Sequence, residues 1–190
     1  NPNIGCNLSH IKCMELAKEN NYSNILILED DFKFITQEWS GKEFISSNPE
    51  SHITSALTQI KNIDWDMLYF SYKIDIPPLF SFYEEKDTNL FQCTSQLTLC
   101  GYGIRDTVYT FILNYFKKRE LLRVPLDAIF ARYICHKFKC LNIKPMVIGQ
   151  RNNIISDIRN KLVDHDKWTK KMLQQYSKDR LSKERTKLKI

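Results

Sequence analysis

Apolar and polar stretches along the chain predict strands that alternate with helices. The apolar run at 24–28 predicts a strand buried on both faces, as in a parallel sheet, and the aromatic-rich run at 65–72 predicts a second strand. Between them, Pro49 and Glu50 open a segment whose apolar residues recur at helical spacing. This order favours an α/β sandwich with a mostly parallel central sheet.

Similar patterns predict the remaining elements. A first helix is predicted around Leu8 to Ala17, with Asn7 or Ser9 as its N-cap, and 32–47 is predicted to be a loop. The other predicted elements are, in chain order, one or two strands at 90–104, a helix at 105–116, a helix after Pro125, a short strand at 144–149 and a basic helix from Lys161 onward.

The composition fits one globular domain with a sizeable core. The chain has 190 residues, of which 43% are hydrophobic and 26% charged, and this balance excludes global disorder. No apolar run is long enough to span a membrane, and no zinc-finger or RNA-binding motif predicts a specific nucleic-acid partner. We therefore expect a cytoplasmic protein, whereas a signal upstream of Asn1 would direct it to the endoplasmic reticulum.

Much of the net charge of +6 lies in the basic tail, residues 161–190. The apolar residues of this tail predict a helix that covers the core as far as Tyr176. They are Leu162, Trp168, Met172, Leu173 and Tyr176. Beyond Tyr176, the lysines and arginines favour contact with an anionic membrane surface.

The six cysteines do not follow the common metal or redox spacings, because no CxxC pair occurs. We expect them to be mainly free, buried thiols. Cys6 and His10 are four residues apart and would share a helix face, and Cys135, His136 and Cys140 lie close together. Neither set by itself provides enough ligands for a structural zinc site.

Three consecutive acids, Glu29, Asp30 and Asp31, follow the first predicted strand. In open α/β sheets, ligands bind outside the carboxyl ends of the strands. Alternation along an extended chain would place Glu29 and Asp31 on the same side, where two oxygen ligands suit Mg²⁺ or Mn²⁺. The alternative is a solvated acidic loop that caps neighbouring helix N-termini.

Short motifs run along most of the chain in a fixed order. They are "GCNLSH", "LILEDD", "IDWDMLYFSY", "TLCGYGIRDTVYTFIL", "VPLDAIFAR" and "QRNNIISDI". Together they resemble glycosyltransferase family 25, which contains bacterial lipooligosaccharide galactosyltransferases and procollagen galactosyltransferases. The resemblance implies a GT-A type, Rossmann-like fold that binds a nucleotide sugar.

The resemblance also implies roles for individual residues. Glu29 and Asp31 would hold Mn²⁺ or Mg²⁺, which in turn holds the diphosphate of a UDP-sugar donor. Asp127 is the expected general base, with a helix N-cap as the alternative, and Asp66 is expected to bind the acceptor unless it serves as a turn or cap. The expected donor-binding residues are Ser9, His10, Glu29, Asp30, Tyr102, Ser156 and Asp157. For His10, a core histidine bonded to the backbone is the alternative.

The start of the chain departs from the family pattern. The resemblance implies a strand of the type Ile-Asn-Leu before the Gly-Cys motif, but only "NPNI" precedes Gly5. We therefore expect a catalytic domain at 1–160 without its first strand, followed by the basic helical tail.

The most probable function on this basis is glycosyl transfer. We expect inverting, metal-assisted transfer of a hexose, galactose or glucose, from a UDP-sugar to a hydroxyl of a glycan or of hydroxylysine. A non-catalytic binding or scaffold protein with the same fold is one alternative. A metal-dependent phosphohydrolase that uses the same acids is another.

Overall fold

The computed structural model describes residues 2–71, 89–92, 96–117, 123–152, 155–156, 161–162 and 164–175. Its helices are α1 (Pro2–Glu19), α2 (Pro49–Ile60), α3 (Asp106–Tyr115), α4 (Leu126–Ile129), α5 (Cys135–Lys137) and α6 (His165–Gln175), and a π-helical turn (Phe130–Ile134) joins α4 to α5. Its strands are β1 (Asn24–Leu28), β2 (Phe32–Phe34), β3 (Gln37–Trp39), β4 (Phe44–Ser46), β5 (Met67–Tyr69), β6 (Leu90–Gln92), β7 (Gly101–Arg105), β8 (Cys140–Ile143), β9 (Ile148–Gln150), β10 (Ile155–Ser156) and β11 (Lys161–Leu162).

Among the described residues, the central sheet contains five strands in the order β1-β7-β5-β8-β6. Only β5 and β8 pair in parallel; β7 is antiparallel to both β1 and β5, and β6 is antiparallel to β8. The α/β class is confirmed, but the prediction of a mostly parallel sheet was wrong. β1 and β5 do run in the same direction, as their connection through α2 suggests, but β7 is inserted between them.

β1 lies at the edge of the sheet that the described strands form, and it has one buried residue. Ile27 packs in the same core cluster as Ile11 and Met14 of α1. Leu26 and Leu28 are 55% and 38% exposed. The prediction that this strand is buried on both faces was therefore wrong, because an apolar run does not determine whether a strand lies in the centre of a sheet or at its edge.

Several local predictions are confirmed. α2 begins at Pro49, and the Asn48 side chain accepts hydrogen bonds from the backbone N–H groups of the first turn. α3 and the helix after Pro125 also form as predicted. The helix of the basic tail begins at His165 and not at Lys161 as predicted, because Lys161 and Leu162 form β11. Met172 and Leu173 of α6 are buried, so this part of the basic tail covers the core. Residues beyond 175 lie outside the described ranges.

Two local predictions were wrong or incomplete. The segment 32–47 is not a loop: it contains β2, which pairs with β9, and the β3–β4 hairpin. The sequence reasoning also missed β8, which lies in the middle of the described sheet. These strands have three or four residues each, too few for a periodic pattern to identify them from the chain alone.

The cysteines within the described ranges are free thiols, as expected. Cys100, Cys135 and Cys140 are buried, whereas Cys13 is exposed and Cys6 is partly exposed. Cys93 lies outside the described residues. None of the described helices is long and apolar enough to cross a membrane.

α1 begins at Pro2, so neither Asn7 nor Ser9 is its N-cap. Asn7 is instead buried and joins α1 to the segment before α4. Its side-chain amide donates to the Val124 carbonyl at 2.7 Å and its carbonyl accepts the Leu126 N–H at 3.1 Å. The exposed Ser9 hydroxyl bonds only within α1, to the Gly5 carbonyl at 3.1 Å.

We expect Asn7→Ala to lower the free energy of unfolding, because it leaves the Val124 carbonyl and the Leu126 N–H without this partner. The cost is about 1–3 kcal/mol for each polar group that remains buried and unsatisfied. Urea unfolding measures it, with Ser9→Ala as the matched control, expected within about 0.5 kcal/mol of the unsubstituted protein. Equal stability of the two variants would contradict the structural role of Asn7.

Candidate active site

Glu29, Asp30 and Asp31 form a turn that joins β1 to β2. The Phe32 N–H donates to the Glu29 carbonyl at 3.2 Å, so the chain does not remain extended through the acids. The acids do lie at the carboxyl end of β1, as predicted. However, the argument from side-chain alternation does not apply to them, because a turn rotates successive side chains differently from a strand.

The Glu29 carboxylate is held by a buried histidine of α1. His10, 5% exposed, places Nε2 at 3.4 Å from Glu29 Oε1 and Nδ1 at 2.9 Å from the Tyr102 hydroxyl. Tyr102 is fully buried and packs against the rings of Tyr69 and Phe130. Tyr102 therefore supports His10 from within the core, and its predicted donor contact stays a prediction.

The environment of His10 favours its protonated form. Burial alone lowers its pKa, but hydrogen bonds to Cys6 and Glu29 and the negative charge of Glu29 outweigh burial and raise the pKa from 6.5 to about 9. At neutral pH the imidazolium therefore donates to both Glu29 and Tyr102. The alternative suggested by the sequence, a core histidine bonded to the backbone, does not describe these contacts.

Stability is expected to fall as the pH rises from about 6.5 to about 9. In this window native His10 retains a proton that the unfolded chain releases. The contribution of this protonation to the free energy of unfolding is therefore complete below pH 6.5 and lost above pH 9. The difference of 9 − 6.5 corresponds to about 3 kcal/mol. Urea unfolding across this range should give a steeper decline for the unsubstituted protein than for His10→Gln. Parallel declines would contradict the raised pKa.

The Asp31 carboxylate carries a charge that its described surroundings only partly compensate. Its Oδ2 accepts a hydrogen bond from Gln150 Nε2 at 3.1 Å, but its buried Oδ1 has no hydrogen-bond partner among the described residues. Burial, followed by the charge of Glu29, raises the pKa of Asp31. A buried carboxylate oxygen without a hydrogen-bond partner is suited to binding a cation.

Arg151, directly after β9, binds the backbone of the acidic turn. The Arg151 N–H donates to the Asp31 carbonyl at 2.7 Å, and the Arg151 guanidinium contacts the Asp30 carbonyl. Arg151 itself is exposed, as is the Asp30 side chain. The sequence reasoning did not assign roles to Gln150 and Arg151. The available signal was their position at the start of the motif "QRNNIISDI".

Asp127 lies in the first turn of α4, where its Oδ1 accepts the Ala128 N–H at 2.7 Å. Pro125 is the N-cap residue of α4 and no side chain caps this helix, so the alternative of an N-cap role for Asp127 was wrong. The Asp127 Oδ2 atom makes no hydrogen bond among the described residues and could accept one from another group. Phe130, one turn further on, packs edge-on against Tyr102 at 5.7 Å between ring centroids. The helix that carries Asp127 is thus packed against the tyrosine that also contacts His10.

Asp66 and the acidic turn lie at opposite ends of the strands. It precedes β5, whereas Glu29 follows β1, and these two strands run in the same direction. Its carboxylate accepts the Lys139 N–H at 2.8 Å and the Thr107 hydroxyl at 3.3 Å. These contacts join Asp66 to α3 and to the segment before β8, and neither of them is a helix-capping bond to a backbone N–H of the first turn. The predicted acceptor contact remains a prediction.

The remaining predicted donor residues are Ser9, Ser156 and Asp157, and their donor contacts stay predictions. The Ser9 side chain is exposed and bonds back to α1. Ser156 lies in β10, where it pairs with Lys161 of β11. Asp157 lies outside the described residues.

The fold and site together define a mixed α/β protein with a cluster of carboxylates at the carboxyl end of a strand, one of which has a buried oxygen without a hydrogen-bond partner among the described residues. The profile of glycosyltransferase family 25 (LPS biosynthesis protein) matches residues 1–130. The chain belongs to this family, which confirms the resemblance seen in the motifs. The match includes the acidic turn, Tyr102 and Asp127, and ends before β8 and Gln150. A comparison with curated protein sequences gave no match.

Proposed function

We propose that this protein is a glycosyltransferase that moves a hexose from a UDP-sugar to a hydroxyl group of a glycan. Membership of glycosyltransferase family 25 supports the transfer of a sugar. The observation that carries the proposed site is the buried Asp31 Oδ1, which lacks a hydrogen-bond partner among the described residues at the carboxyl end of β1. This is the position where open α/β sheets bind ligands.

Mn²⁺ or Mg²⁺ fits the chemistry of this turn. Asp31 would provide Oδ1, and Glu29 would provide the carboxylate oxygen that does not face His10. When bound, the cation would act as a Lewis acid that stabilises charge on the departing diphosphate. The raised pKa of Asp31 supports this assignment. Its surroundings destabilise the charged carboxylate, and a nearby cation would stabilise it.

Among the positive groups that the described residues place beside the acids, two would assist an anionic donor. The His10 imidazolium holds Glu29 in place, so we regard it as a positioning residue for that carboxylate. The exposed Arg151 guanidinium reaches the Asp30 backbone and could turn toward a phosphate. We therefore add Arg151 to the proposed donor contacts.

Asp127 is the proposed general base. Its Oδ2 would take the proton of the acceptor hydroxyl while that oxygen bonds to the anomeric carbon and the bond from this carbon to UDP breaks. A single displacement of this kind inverts the configuration at the anomeric carbon. The hydrogen bond from the Ala128 N–H to Oδ1 would hold the carboxylate in place during the reaction.

The family description, LPS biosynthesis, favours a glycan acceptor over hydroxylysine. A lipid-linked glycan lies at a membrane surface, and the positive charges of residues 161–190 would support contact of this protein with an anionic cytoplasmic leaflet. Galactose and glucose remain the proposed hexoses.

A donor panel tests the proposal. The full chain is incubated with UDP-galactose or UDP-glucose and Mn²⁺, with and without an oligosaccharide acceptor, and both free UDP and the glycosylated product are measured. UDP release that depends on acceptor and matches product formation is expected. Cleavage of the donor to UMP and hexose 1-phosphate would favour the phosphohydrolase, and an intact donor would favour the non-catalytic protein.

A further inference from the structure

Cys6, His10 and Glu29 bring a sulfur, a nitrogen and an oxygen atom close to one point. One potential ligand atom of each lies within 4.8 Å of the other two, and His10 Nε2 is 3.4 Å from Glu29 Oε1. In a tetrahedral zinc site, bonds of about 2.0–2.3 Å place neighbouring ligand atoms about 3.4–3.6 Å apart. Side-chain adjustments of about 1 Å would therefore bring all three atoms to zinc-binding distance.

The second ring nitrogen of His10 is already oriented as in a metal site. Nδ1 lies 2.9 Å from the hydroxyl of the fully buried Tyr102. Histidines that bind metals commonly use the other ring nitrogen in such a bond, which fixes the direction of the coordinating nitrogen. Cys6 and His10 are also one turn apart on α1, so the helix holds both groups on the same face.

We propose that Cys6, His10 and Glu29 bind Zn²⁺ and leave a fourth coordination position open. The thiolate distinguishes this site from the all-oxygen site proposed around Asp31, because sulfur ligands favour Zn²⁺ whereas carboxylates suit Mn²⁺ and Mg²⁺. Zn²⁺ replaces the proton of the Cys6 thiol and the proton of the His10 ring, so binding releases protons to solvent.

Glu29 belongs to both sites, which gives zinc a consequence for activity. Zn²⁺ at Cys6, His10 and Glu29 withdraws Glu29 from the donor site and lowers the rate of sugar transfer. This consequence rests on the proposed function, whereas zinc binding itself does not. The two are therefore measured separately.

Metal titration of the full, chelator-treated chain tests the site. Co²⁺, a spectroscopic substitute for Zn²⁺, should give a thiolate-to-metal charge-transfer band that added Zn²⁺ removes. Cys6→Ser should abolish the band, and Cys13→Ser, an exposed cysteine on the same helix, should retain it. Tyr102→Phe, which removes the partner of Nδ1, should weaken zinc binding about 10- to 100-fold.

Absence of the band, or its persistence in Cys6→Ser, would overturn the site. Circular dichroism of each variant verifies folding, and zinc X-ray absorption of the unsubstituted protein, with one sulfur neighbour expected, gives the answer if Cys6→Ser does not fold. A transferase that lacks this thiolate signal would refute the zinc inference alone. A protein that binds zinc through Cys6 but transfers no sugar would refute the proposed function alone.

Discussion

Asp31→Asn is expected to reduce kcat/KM for sugar transfer by about 10²–10³, the range seen when one group that stabilises developing charge is removed. Asparagine has nearly the same shape and can still accept the hydrogen bond from Gln150. The change therefore removes charge with little effect on packing. Steady-state rates at several Mn²⁺ concentrations should show weaker apparent binding of both metal and donor.

Asp64→Asn provides the matched control for that experiment. Asp64 is 82% exposed and lies near Arg105, at the edge of the sheet away from the acidic turn. The control makes the same chemical change, so it should leave the rate and the Mn²⁺ dependence as they are. If Asp31→Asn transferred sugar at the rate of the Asp64→Asn control, Asp31 would hold neither metal nor donor.

Asp127→Asn is expected to lower kcat by about 10²–10⁴, the usual contribution of a general base. Donor binding should change little, because Asp127 is proposed to act on the acceptor hydroxyl. The pH profile adds a second readout, since loss of the base should remove the limb of the profile that reports its deprotonation. Single-turnover measurements with saturating donor would separate this loss from slower product release.

Asp127→Asn also separates catalysis from a structural role in the first turn of α4. An asparagine oxygen can still accept the Ala128 N–H, so this contact is retained. Asp127→Ala removes the contact and should cost about 0.5–1.5 kcal/mol of stability, whereas Asp127→Asn should not. Full activity in Asp127→Asn together with lower stability in Asp127→Ala would assign Asp127 a structural role alone.

Local features of the fold were predictable from the chain because neighbouring residues determine them. Asn48, Pro49 and Glu50 specify the start of α2 through capping and backbone restriction, and the structure has this start. The strand at Asn24–Leu28 and the acids that follow it were also correctly located. These signals extend over a few residues and need no knowledge of the rest of the fold.

Features that depend on distant segments were not predictable. The insertion of β7 between β1 and β5 joins strands far apart in sequence, and no local pattern encodes strand order. It makes most of the sheet antiparallel. The same insertion brings Tyr102 opposite Ile27, and packing of α1 then places His10 beside Tyr102.

The candidate site also combines features that the sequence predicts locally with features that depend on distant segments. The sequence placed Cys6 and His10 on one helix face, and it placed Glu29 at the end of a strand. It did not bring these groups together, because their proximity requires α1 to pack against the sheet. Asn7 is a second example. The sequence named Asn7 or Ser9 as the N-cap of α1, whereas the fold shows that the Asn7 side chain binds the segment before α4.

Binding of UDP to the full chain, measured by isothermal titration calorimetry with and without Mn²⁺, tests most directly whether the acidic turn is a metal-assisted donor site. We predict saturable binding in the presence of Mn²⁺, much weaker binding in the presence of a chelator, and loss of this difference in Asp31→Asn. UDP binding that is equal with Mn²⁺ and with chelator, or no binding under either condition, would contradict the proposed donor site.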